Sequence, residues 1–194
     1  MCRSGLKERA EDNAAGIPAR TTESLLPDDP YMWKQPAKPL FAAIDGYTLA
    51  GGLAIAQMCD LRLATEDARL GITETGVCLL PPFATLLPRL LPMAFVLELV
   101  FTAEPITALR AYEIRFLNGV LPRTRLLPEA FSIANRIIKN ALIALRYFKE
   151  LVYSGQKIGS PELVQLIHYL YGRLLSSEDS YEGPQAFVDK RNPV

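Results

Sequence analysis

The chain has 194 residues, 49% of them apolar, with 21 acidic side chains against 21 basic ones and a single histidine. That is enough apolar material for one sizeable core, whereas zero formal net charge and a pI near 6.6 argue against a non-specific nucleic-acid binder, which needs a basic stripe to release counterions. No block of like charge marks a binding tail, and Cys2, Cys59 and Cys78 have neither metal-ligand spacing nor even pairing, so they read as reduced thiols.

In chain order, residues 1–37 are punctuated by Gly5, Gly16, Pro18, Pro27, Pro30 and Pro36 and read as an irregular polar segment with one short helix over 6–13. Arg3, Lys7, Glu8, Arg9, Glu11 and Asp12 leave no apolar stretch for a secretory signal, so the expected location is cytoplasmic. Residues 40–45 form an apolar run bounded by Pro39 and Gly46 and fit a buried parallel strand. The pattern continues with a helix over 53–58, a second strand over 60–65 and a third, very short one over 69–72. Pro81, Pro82, Pro88 and Pro92 then break the chain into turns and half-helices.

Beyond Pro92, apolar residues at three-to-four spacing predict helices over 93–101, 107–116, 128–139, 141–152, 161–175 and 180–189. The run 93–101 is interrupted by Glu98 and is far too short to span a bilayer. His168 lies in the helix over 161–175 and reads as a structural or surface residue. Two or three strands facing so many helices would leave a parallel sheet short of cover on one face, so further strands are expected ahead of this segment.

The chemistry gathers where the first strand turns at Gly46 and a helix starts on Gly51 and Gly52. A helix N-terminus offers unpaired N–H groups and the positive end of a dipole, which hold an anion or a carbonyl oxygen that becomes one. The glycines match neither the Gly-x-Gly-x-x-Gly nor the Gly-Lys-Ser/Thr phosphate pattern. By themselves, Gly46, Gly51 and Gly52 suit an ordinary turn and tight helix-strand packing equally well.

The run Lys38-Pro39-Leu40-Phe41-Ala42-Ala43-Ile44-Asp45-Gly46-Tyr47-Thr48-Leu49-Ala50-Gly51-Gly52 is followed by Cys59-Asp60 and by Leu70-Gly71-Ile72-Thr73-Glu74. The chain closes on Ser177-Glu178-Asp179 and Glu182-Gly183-Pro184-Gln185-Ala186-Phe187-Val188-Asp189-Lys190-Arg191-Asn192-Pro193. Together these resemble the crotonase superfamily, the enoyl-CoA hydratase/isomerase proteins, from Lys38 almost to the C-terminus. The resemblance implies an α/β, crotonase-like (ClpP/crotonase) spiral core, N-terminally shortened, over 1–125, and a helical oligomerisation region over 126–194. Cys2-Arg3-Ser4-Gly5-Leu6-Lys7-Glu8-Arg9 is similar to the tail of the family's Phe-Cys-Ala-Gly-Ala-Asp-Leu-Lys-Glu-Arg stretch, which would start Met1 inside the domain.

In such proteins two backbone N–H groups hold the thioester carbonyl of an acyl-CoA and stabilise the enolate. The resemblance assigns one to Gly51 and the other near Gly5 or Leu6, where this sequence lacks two residues of the family pattern. Hydrating members use two glutamates, and the first position is Ala54 here, whereas the second is Glu74. One carboxylate suffices for a 1,3-proton shift, so double-bond isomerisation is favoured over hydration. Gly52, Pro82 and Phe83 are assigned to the substrate site, the family's glycine-rich loop being replaced by the stiffer Pro82-Phe83-Ala84-Thr85-Leu86. Phe187 and Lys190 are assigned near the acyl or CoA group, Lys190 reading equally as a solvated helix end.

Asp60 reads as structural, hydrogen-bonded to backbone. Coenzyme A enters as part of the substrate, with no metal or redox cofactor; the expected partners are the acyl-CoA and further copies in a homo-trimer or hexamer, without nucleic acid or membrane. The rival reading is a non-catalytic CoA-thioester-binding or assembly homologue, and a third is a thioester hydrolase or decarboxylase using the same oxyanion hole.

Overall fold

The computed structural model describes residues 3–16 and 36–191. Helix α1 (Arg3–Ala14) contains the predicted 6–13 and carries one exposed i,i+4 ion pair, Lys7 to Glu11 at 3.8 Å; Cys2 and the stretch 17–35 lie outside the described residues. The rest falls into two compact units, one holding Leu40–Leu127 and the other Pro36–Pro39 with Pro128–Val194.

The first unit is a chain that alternates between two small sheets. Strand β1 (Phe41–Ile44) is followed after a turn by β2 (Tyr47–Leu49), helix α2 (Gly51–Met58), β3 (Leu61–Thr65) and β4 (Arg69–Gly71). Then come two 3-10 segments, Thr75–Val77 and Pro82–Arg89, helix α3 (Met93–Thr102), β5 (Ile106–Thr107), α4 (Ala108–Glu113) and β6 (Gly119–Leu121). One sheet has the order β1-β3-β6, all parallel, and the other the order β2-β4-β5, with β4 and β5 antiparallel. The chain is thus α/β, with β1 passing to β2 across the gap between sheets.

Among the described residues six strands stand in place of the two or three expected from the sequence. Three were not expected: β2, β5 and β6 are two or three residues long, as short as β4, and give a period-two pattern little room to register. Gly46 has φ +86°, a turn conformation that glycine adopts without strain. It swings the chain from one sheet to the other.

Asp60 ties the start of this unit together. Its carboxylate accepts the Leu40 N–H (2.6 Å), and its own N–H donates to the Leu40 carbonyl (2.9 Å). Arg62, 8% exposed, reaches the far end of α2, donating from Nη1 to the carbonyls of Ala56 (3.4 Å) and Cys59, and from Nε to the Phe116 carbonyl (2.6 Å). A cation at this end complements the helix dipole and satisfies carbonyls the helix leaves open. The core gathers Leu53, Ala54, Leu70, Ile72, Phe83 and Leu87 with residues of α3 and α4.

Helix α5 (Arg123–Ile137) crosses the division at Pro128; it starts five residues before the predicted 128, so the proline sits inside the helix. The second unit continues with α6 (Leu142–Ser154), α7 (Ser160–Leu175) and α8 (Glu178–Val188). Pro161 opens α7 at a position where a missing N–H costs nothing, and Glu178 and Asp179 sit in the first turn of α8, where the dipole favours them. Among the described residues no helix is long and apolar enough to cross a membrane.

Candidate functional site

The site is built by the parallel pair β2 and β4, whose register places Leu49 opposite Gly71. Two residues after Leu49 the chain enters α2 at Gly51, and three residues after Gly71 it reaches Glu74. Both predicted groups therefore leave the carboxyl ends of neighbouring parallel strands, where open α/β sheets hold their ligands. Ala50 joins the two ends directly, its N–H donating to the Gly71 carbonyl (3.3 Å).

At Gly51 neither the backbone nor packing demands glycine. Its φ lies outside the left-handed region, and an added Cβ would meet nothing within 4 Å. Gly71 is the contrast: a Cβ there would stand 2.9 Å from Cα of Pro105, so this glycine serves close approach between β4 and the chain entering β5. The first turn of α2 carries N–H groups with no carbonyl partner inside the helix. At Gly52 the nearest atom to an added Cβ is Thr48 Cγ2, at 3.7 Å.

Glu74 is 9% exposed, and its Oε2 is buried without a hydrogen-bond partner. Its backbone is firmly held. The carbonyl accepts the N–H groups of Val77 and Leu79, both at 3.0 Å, and Thr75 Oγ1 anchors the turn to the Val100 carbonyl at 2.5 Å. A buried carboxylate oxygen left unpaired on a rigid turn is the kind of group that needs a functional explanation.

Ala54, one turn into α2, is completely buried in the core and carries no proton donor or acceptor. Gln57, a further turn on, is a polar group the sequence reading missed. It is 6% exposed; its Nε2 donates to the Phe83 carbonyl (3.0 Å), and its Oε1 is buried and unpaired. The available signal was one amide in an otherwise apolar helix. The Phe83 side chain packs into the core, and Pro82 is half-buried ahead of it. An apolar hollow bounded by Leu53, Leu70, Gly71, Leu87, Leu91 and Leu99 lies beside β4, but neither Gly51 nor Glu74 lines it.

The other predicted residues lie on or beside other elements. Gly5 and Leu6 fall in the first turn of α1, and their surroundings lie outside the described residues. Phe187, 85% exposed at the end of α8, and Lys190, exposed with φ 53°, belong to the second unit. His168 is exposed on α7. Among the described residues no group of three His, Cys, Asp or Glu side chains could hold a metal ion.

These features are those of an α/β fold that sets a helix N-terminus and a buried carboxyl group at the ends of adjacent parallel strands. The enoyl-CoA hydratase/isomerase family model matches residues 8–194. Short-chain-enoyl-CoA hydratase of Clostridium acetobutylicum is 35% identical over 156 residues, 79% of this chain and 60% of that protein. (E)-benzylidenesuccinyl-CoA hydratase of Thauera aromatica is 34% identical over 165 residues, 84% of this chain and 63% of that protein. Enoyl-CoA hydratase from Bacillus anthracis, a crystal structure at 35% identity, superposes with a TM-score of 0.80 over 85% of this chain and 65% of its own. The chain belongs to the enoyl-CoA hydratase/isomerase family and has its crotonase fold. It spans 60–63% of the length of those two curated relatives.

Proposed function

We propose that the chain binds an acyl-CoA thioester and moves a proton beside the carbonyl, with the Gly51 N–H stabilising the enolate oxygen and Glu74 as acid/base. The observation that carries this reading is the buried, unpartnered Oε2 of Glu74 at the end of the strand paired with the one leading to Gly51. Leaving such an oxygen unsatisfied costs about 1–3 kcal/mol, a loss that a catalytic role explains.

The reaction that fits is isomerisation of an enoyl thioester. Glu74 removes a proton from one carbon, the electrons delocalise onto the thioester oxygen, and the proton returns at the other end of the conjugated system. An oxyanion donor contributes about 3–4 kcal/mol to such a step and a positioned carboxylate about 10²- to 10⁴-fold in rate. Hydration by two carboxylates fits less well because Ala54 has no group to activate water.

The same reading assigns a second oxyanion donor near Gly5 or Leu6, contacts to the acyl group from Gly52, Pro82 and Phe83, and contacts to the acyl or CoA group from Phe187 and Lys190. It also assigns a cytoplasmic homo-trimer or hexamer without metal or redox cofactor. Exposed apolar side chains on α8, Tyr181, Phe187 and Val188, support the assembly.

The test is an absorbance assay of purified protein with 3-enoyl-CoA and, separately, 2-enoyl-CoA, comparing wild type with Glu74→Gln. Isomerisation that falls about 10²- to 10⁴-fold in the variant, while CoA-ester binding is kept, is the expected result. Unchanged turnover removes Glu74 from the mechanism, and a folded wild type silent on both substrates points to a non-catalytic thioester binder.

A further inference from the structure

Ala50, the residue between β2 and α2, has φ 52° and ψ −122°. Glycine adopts this conformation freely, whereas a Cβ makes it strained. The residue is 6% exposed and held by two hydrogen bonds: its N–H donates to the Gly71 carbonyl (3.3 Å), and its carbonyl accepts the Ala54 N–H (3.0 Å). Strain of this kind persists only where the surroundings over-determine it, and it clusters where function requires it.

A relaxed alternative lies one peptide rotation away. Turning the Ala50–Gly51 peptide plane by about half a turn leaves φ of Ala50 almost unchanged and brings its ψ into the left-handed well, near φ ~57° and ψ ~47°. The compensating change falls on φ of Gly51, where glycine tolerates it, and an added Cβ at Gly51 has no neighbour within 4 Å. The rotation sacrifices the Ala54-to-Ala50 hydrogen bond and reverses the direction of the Gly51 N–H.

We propose that Ala50 is a positioning residue that sets the poise of the Gly51 donor: strain from its side chain makes the Ala50–Gly51 peptide a two-state element in which the donor-forward state is incompletely populated. The inference rests on the reading of Gly51 as the thioester donor. Its chemistry is a population shift, with no bond made or broken, so relieving the strain at Ala50 strengthens the oxyanion hole without altering Glu74.

The experiment compares wild type, Ala50→Gly and Ala50→Val by thermal unfolding, by kcat and KM on 3-enoyl-CoA, and by the absorption of a bound enoyl-CoA bearing a para-aminophenyl chromophore. That absorption moves to longer wavelength as the thioester oxygen gains hydrogen bonding. Ala50→Gly is expected to raise Tm by about 2–4 °C, to enlarge the red-shift, and to raise kcat about threefold or more with KM changed less than kcat. Ala50→Val moves each readout the other way, and its failure to fold agrees with the strain.

An unchanged or lowered Tm for Ala50→Gly overturns the inference, as does a red-shift equal to that of wild type. A larger red-shift without turnover in either protein supports the inference and overturns the catalytic reading. Absence of any red-shift in both proteins overturns the thioester reading and the inference with it.

Discussion

The two units of this chain handle apolar residues in opposite ways. The unit of Leu40–Leu127 buries Leu70, Ile72 and Leu87 to 1% exposure or less around its two sheets, whereas in the unit of Pro128–Val194 only Leu170 and Ala186 are buried apolar residues among those described. The helical unit instead leaves Phe131, Phe148, Tyr171, Tyr181 and Phe187 between 59% and 85% exposed. Apolar surface on that scale marks interaction sites. The first unit carries its own core and the candidate site; the second is a set of amphipathic helices whose apolar faces remain available for association.

The sharpest break of this contrast is a matched pair of truncations. Leu70→Ala, in the first unit, is expected to lower stability by about 2–5 kcal/mol, the transfer loss plus the cavity left behind, while Phe148→Ala in the second unit stays within about 0.5 kcal/mol. Denaturant unfolding of both variants checks this, and equal losses would erase the distinction between the units.

Within the first unit, two glycines sharpen the separation of scaffold from site. Gly71→Ala forces a Cβ against the backbone of Pro105 and is expected to cost about 1–3 kcal/mol. Gly51→Ala meets no atom and is expected to stabilise by about 0.4–1 kcal/mol through the unfolded chain, while acyl-CoA binding measured by calorimetry is lost. Retained binding in Gly51→Ala would remove this glycine from the site.

Smaller effects belong to the surfaces. Phe187→Ser is expected to leave unfolding within about 0.5 kcal/mol of wild type and to reduce association in light scattering; unchanged association would move the interface elsewhere. Arg123 spans Asp45 and Asp67, both at 2.9 Å. Hydrogen bonds from Thr65 and then Arg123 hold the Asp67 carboxyl below 3.8. Its contribution is present above that value and is lost as pH falls through the folded pKa. Arg123→Gln is therefore expected to be slightly less stable than wild type near neutrality and to converge with it in acid, as read from thermal melts across pH. Solvent screening keeps the difference small.

The helices beyond Pro92 were legible because each repeats its apolar positions often enough for the period to show, with boundaries moved by at most five residues. The short strands were not, since β2, β5 and β6 owe their conformation to partners distant in sequence, as β2 does to β4. Asp60 was readable as a residue that hydrogen-bonds backbone, and Glu74 and Gly51 were singled out through the family pattern around them.

The sequence by itself determined the family, the alternation of strand and helix around Gly46 and Gly51, and the presence of Ala54 at a position where the resemblance implies a carboxylate, because these follow from residue type and spacing. Only the tertiary structure decided that Gly51 faces open space while Gly71 is pinned by Pro105, that an oxygen of Glu74 is buried without a partner, and that Ala50 is strained. Each of these depends on which segments meet in space, and β2 and β4 become neighbours only when the two sheets form.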